Sequence, residues 1–79
     1  MDAFDYRCQI YVVDENNDIL ETLAAVNGFM PAKAAFEAFL QTRTYCRIQF
    51  REKSRIVATA ETGAYDAATK SIAVVRRWA

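Results

Sequence analysis

Ten acidic and ten basic side chains stand in this chain, and no histidine accompanies them. Without an imidazole the commonest general base is missing, and so is every Ser-His or Cys-His nucleophile. Paired carboxylates are the remaining acid–base chemistry, and Asp14 with Glu15, or Asp2 with Asp5, are close enough in sequence to attempt it. Catalytic pairs work where their two environments differ. These fall in a turn and near a terminus, so a solvated loop is the simpler reading. Two glycines in the whole chain leave no Gly-rich loop to cradle a phosphate. The chain reads as a non-enzyme that takes no cofactor.

Asp14-Glu15-Asn16-Asn17-Asp18 matches the D-x-N-x-D opening of a calcium loop. Ile19 then stands where the sharp turn requires glycine, and Ala25 where the bidentate glutamate belongs. The segment is read as an acidic hairpin tip, and no metal is expected. Cys8 and Cys46 have no zinc-ligand spacing. Both fall on the apolar side of a strand pattern, as buried free thiols in a reducing compartment. A disulfide joining two strands is the alternative.

A second constellation suits recognition. Arg7, Gln9 and Tyr11 alternate in one segment, and Tyr45, Arg47, Gln49 and Arg51 in another. Arginine and tyrosine are enriched at binding surfaces because they cover large areas and still donate hydrogen bonds. On an open sheet they also suit stacked single-stranded bases. The plain structural alternative is that the arginine stems shield the sheet while their heads stay wet.

The elements that position these residues follow from periodicity. Phe4, Tyr6, Cys8, Ile10 and Val12 are apolar at every second position, which predicts a half-buried strand. It stops at the polar run 14–18. Residues 19–26 admit two readings, a short helix opened by Asp18 and Glu21 or a strand that closes a hairpin. The short turn and Asn27-Gly28 at the far end favour the strand. Pro31 suits the first turn of a helix, which should run to about Thr42, with Ala32, Ala35, Phe36, Phe39 and Leu40 on one apolar stripe. Lys33 and Glu37 lie on the other side, spaced for an i,i+4 pair. Cys46, Ile48 and Phe50 alternate in a third strand, and Ile56, Ala58 and Ala60 continue the inward row in a fourth. Gly63 marks a bulge or bend, 66–70 a second hairpin loop, and Ser71 to Trp78 a last strand with Ile72, Val74 and Val75. Trp78 should cap the core from that strand.

The order is β-β-α-β-β-β, a single α+β domain over residues 1–79 with an antiparallel sheet of about five strands and one helix on one face. Seventy-nine residues are too few for two ordinary domains. The other sheet face is then left to water or to a partner. Net charge is zero, which weakens both a strongly basic nucleic-acid binder and a strongly acidic DNA mimic. The charges are nonetheless segregated, with seven acids and two bases in residues 1–40 and three acids and eight bases in residues 41–79. The two halves should attract each other within one fold. No signal-peptide pattern or membrane-length apolar run occurs, so a cytoplasmic protein is expected.

The hairpin around Asp14–Asp18, the helix Pro31-Ala32-Lys33-Ala34-Ala35-Phe36-Glu37-Ala38-Phe39 and the strands after Tyr45 together resemble the small phage-encoded anti-CRISPR proteins in outline. That resemblance implies non-enzymatic inhibition in a bacterial host, by occluding a CRISPR effector complex so that target DNA is not engaged. Two instruments are available for it. The tip, Asp14, Glu15 and Asp18, would enter a basic nucleic-acid groove. The sheet face, Arg7, Tyr11, Tyr45, Arg47, Gln49 and Arg51, would dock on an acidic or aromatic surface. A protein partner is therefore the leading expectation. The rivals are a nucleic-acid module using Tyr11, Tyr45, Arg47 and Arg51, and a homodimer in which open faces pair.

Overall fold

The computed structural model describes residues 7–78. Phe4, Tyr6, Asp2 and Asp5, singled out above, lie outside them. The chain forms β1 (Cys8–Val13), β2 (Ile19–Val26), α1 (Phe29–Phe39), β3 (Arg47–Glu52), β4 (Arg55–Asp66) and β5 (Ser71–Trp78). The five strands make one sheet in the order β2-β1-β3-β4-β5, with every neighbouring pair antiparallel. Residues 19–26 are strand, and the second hairpin turns over 67–70, Asp66 ending β4.

The helix begins at Phe29, two residues before Pro31, with Gly28 as its N-cap. Pro31 still falls in the first turn, where its missing N–H has no helical partner to lose. The helix also stops earlier than its stripe suggests. Beyond Phe39, the Gln41 and Thr42 amides donate to Ala38 and Phe39 carbonyls, the tighter i→i+3 pattern of a closing turn. Ala32, Phe36 and Leu40 are buried against Cys8, Ile10 and Val12 of β1 and Ile48 and Phe50 of β3. Phe50 is the centre of this layer, its ring 6.0 Å from Phe36 and 5.3 Å from Phe29. Burying rings of this size supplies about 1.5–3 kcal/mol each.

Register irregularities decide which side chains of β4 and β5 face the core, and they correct the inward placement of Ile56. A shift between Phe50 and Arg51 on the β3–β4 ladder lets Val57 pack against the core, and leaves Ile56 39% exposed. Further shifts around Thr62 place Val74 against the core and turn Val75 outward. Gly63 sits in this bulged stretch. A Cβ there would lie 2.9 Å from Val75 Cγ1, closer than real contacts allow, so the bulge brings β5 against a position with no side chain.

The helix lies across β2, β1 and β3. Two polar ties reach β5, one from the helix and one from Gln41 just beyond its end. Arg77 Nη1 and Nη2 each donate to a Glu37 carboxylate oxygen at 2.8 Å. The Gln41 carboxamide accepts from the Ile72 amide at 2.8 Å and donates to the Ile72 carbonyl at 3.0 Å. Glu37 is therefore held by Arg77 across the fold, and Lys33 contributes to it only as a neighbouring charge. Arg43 likewise clasps Glu21 with both terminal nitrogens, at 2.7 and 2.8 Å. Acidic and basic halves of the sequence meet at both pairs.

Candidate functional site

The face of the sheet away from the helix is not open at its centre. All six residues of β1 are buried, including Gln9 and Tyr11, which alternation assigns to that face. Gln49 on β3 is 1% exposed and Thr59 on β4 is 2% exposed. The expectation that Tyr11 and Gln49 are surface residues is corrected. What covers them is the β1–β2 loop together with the arginines of β3.

Loop 14–18 owes its shape to its own polar residues. Asp14 Oδ1 accepts the backbone amides of Asn16 and Asp18 at 2.8 and 3.0 Å, an Asx-type turn. The Asp14 amide donates to the Asp18 carbonyl at 3.0 Å, and Asn17 takes a φ of 65°, a conformation asparagine tolerates. The Asp14 carboxylate is thus occupied in building the turn. It is the structural member of the acidic trio.

Arg47 and Arg51 then bind the loop through its backbone. Arg47 Nη1 donates to the Glu15 carbonyl at 3.0 Å, and Arg51 Nη2 to the Asn17 carbonyl at 2.8 Å. Gln49 lies between them on β3, directly opposite Tyr11 on β1. Its Nε2 donates to Asn17 Oδ1 at 3.1 Å and to Thr59 Oγ1 at 3.2 Å, while its carbonyl oxygen accepts from Arg51 Nε. The Arg51 guanidinium also stacks 5.3 Å from the centre of the Tyr11 ring. The arginine heads are therefore not simply solvated. They are the anchors of the acidic tip.

Glu15 and Asp18 point the other way. Both residues are exposed, and among the described residues neither carboxylate has an ion-pair or hydrogen-bond partner. The tip thus presents two carboxylates on a backbone fixed from behind by a guanidinium on either side of a buried amide.

The remaining sheet-face residues do not join this cluster. Arg7 Nε is 2.6 Å from Glu52 Oε2, and the Arg7 amide donates to Asn27 Oδ1, at the other end of β1. Tyr45 lies outside β3, which starts at Arg47. It has a φ of 54° and is 78% exposed. The left-handed residue turns the chain into the strand and breaks the alternation that placed Tyr45 on the face. Trp78 is half-buried, with the Arg47 and Arg76 guanidinium carbons 5.1 and 5.7 Å from its ring.

The two cysteines are free thiols in this structure. Burial pushes the Cys8 thiol above its ordinary pKa, with Glu52 adding to the effect. A hollow of about 440 Å³ lies on the opposite side of the sheet between α1 and β4–β5. Periodicity carried no signal for it, because it forms from residues far apart in the chain. The chain matches no protein-family model, no curated protein and no solved structure.

Proposed function

We propose that this chain is a non-enzymatic binding protein that acts by occupying a partner's surface, with the tip at Glu15 and Asp18 as its wedge. One observation carries this reading: Arg47 and Arg51 anchor the tip through backbone carbonyls and leave both carboxylates outward. A charged loop ordered before contact gives up little conformational freedom on binding. Its complement is a basic surface of the kind that holds a nucleic-acid backbone. If the likeness to small anti-CRISPR proteins is followed, that surface belongs to a CRISPR effector complex, and occupying it keeps target DNA out.

The nucleic-acid module is less well supported. Base stacking needs an open ring, whereas the Tyr11 ring is buried beneath Arg51. Arg47 and Arg51 already hold the loop, which leaves exposed Tyr45 as the remaining member of that set.

The test is recovery of partners by tagged protein from bacterial lysate, with and without nuclease, for the parent chain and for Glu15→Lys/Asp18→Lys. Reversing Arg47 or Arg51 would release the tip as well as alter the face, so the informative changes are in the tip. A nuclease-resistant stoichiometric complex, weakened about tenfold or more by the double reversal at unchanged circular dichroism, is expected. A complex indifferent to the reversal, or recovery that disappears with nuclease, would overturn the reading.

A further inference from the structure

Asn27 and Gly28 make the bend that joins β2 to α1, at the end of the β1–β2 hairpin away from the acidic tip. Asparagine followed by glycine is a labile pair, because no Cβ shields the next backbone nitrogen from the side-chain carbonyl. Asn27 is exposed and lies beyond the last ladder pair, Cys8 with Val26.

Three asparagines stand in the chain, and the fold treats them differently. The amide after Asn16 donates to the Asp14 carbonyl at 3.0 Å, and the amide after Asn17 donates to Asp14 Oδ1 at 3.0 Å. Both nitrogens are thereby withheld from their neighbours' side chains. Gly28 is the N-cap of α1, and among the described residues its amide has no acceptor. Asn27 Oδ1 accepts the Arg7 backbone amide at 3.1 Å, while among the described residues Nδ2 has no partner. The carbonyl is polarised, and nothing holds the amino group.

We propose that Asn27 is a site of spontaneous deamidation in the folded chain, with the Gly28 nitrogen as nucleophile and the Arg7 amide as oxyanion donor. The Gly28 nitrogen loses its proton to solvent base and attacks Asn27 Cγ. The new N–Cγ bond pushes charge onto Oδ1, where the Arg7 N–H stabilises it. The Cγ–Nδ2 bond then breaks, and ammonia leaves with a proton taken from water. The succinimide that remains adds water at either carbonyl and opens to aspartate or isoaspartate. The sum is amide plus water giving acid plus ammonia, with nothing oxidised or reduced. The helix has no acidic residue in its first turn and no side-chain cap, so the new carboxylate arrives at an uncomplemented positive end. The inference stands apart from the tip, which lies at the far end of the hairpin.

The parent chain is aged at mildly alkaline pH in heavy-oxygen water, folded and in guanidinium chloride, and its peptides are read by mass spectrometry. Heavy oxygen is expected at residue 27 of the folded chain no slower than in denaturant, and about tenfold or more faster than at Asn16 or Asn17. Arg7→Pro removes the donating N–H just before β1 and should slow residue 27 about tenfold, the worth of one hydrogen bond. Arg7→Ala keeps that amide and should leave the rate unchanged. Asn27 intact in the folded chain while the denatured chain reacts would overturn the inference. So would equal rates for Arg7→Pro and Arg7→Ala at unchanged circular dichroism. The folded–denatured comparison uses the parent chain alone, so it decides even where Arg7→Pro does not fold.

Discussion

Gln49 holds the two halves of the tip anchor together. Its side-chain amide is buried and serves Asn17, Thr59 and Arg51 at once. An amide in that position is costly to remove, because Thr59, one of the partners it leaves, is itself shielded from water. Gln49→Leu keeps similar volume but strands Thr59 Oγ1 and the Arg51 Nε–H. The expected loss is about 1–3 kcal/mol in urea denaturation, well beyond what an exposed strand glutamine would give. A change within 0.5 kcal/mol, the ordinary range for surface substitutions, would mean that the network does not hold as described.

At the scale of elements, the bulge at Gly63 sets the fit between β4 and β5. Glycine inside a strand costs about 0.5–1 kcal/mol relative to alanine, so Gly63→Ala should stabilise unless the new methyl meets Val75. It does meet Val75 Cγ1, and forcing that exposed side chain off its rotamer costs about 0.5–1.5 kcal/mol. The two effects nearly cancel in the parent chain. In a Val75→Ala background only the gain remains, so a double-mutant cycle should show coupling of about 1 kcal/mol. This bulge was legible from Gly63 alone, as were the helix from its Ala32–Phe36–Leu40 stripe and the alternation of β1 and β3. The covered face was not. Alternation states that Tyr11 and Gln49 oppose the core, but whether a loop folds back over them depends on bonds between residues 32 to 34 positions apart. For the same reason the acidic tip could be read from five consecutive residues while its anchors could not.

Across the whole molecule, arginine–carboxylate pairs link distant parts of the chain. Hydrogen bonds from Arg43, Arg77 and Arg55 hold Glu21, Glu37 and Glu52 below the ordinary carboxyl value of 4.5, and Arg7 assists at Glu52. Because the folded value is the lower one, the unfolded chain takes up protons first as the solution is acidified. Stability from these pairs is therefore complete above about pH 4.5 and declines as pH falls through the depressed folded values. All three pairs are solvent-accessible, so the effect should shrink with added salt. Urea midpoints measured from pH 6 to pH 3 should be level at first and then fall. Arg77→Met should make that fall shallower, since Glu37 would no longer be held down. A midpoint that rises on acidification would contradict this assignment.

The tie from Gln41 to β5 bears on how these molecules meet one another. β5 is a terminal strand of the sheet, and its outer row of amides and carbonyls is a template on which a foreign strand could assemble. At Ile72 both groups are already engaged by the Gln41 carboxamide, which offers one donor and one acceptor as a peptide unit does. A single side chain thus imitates one rung of a sixth strand. It blunts that end of the sheet against end-to-end growth, a safeguard against fibres in a chain that is 53% hydrophobic.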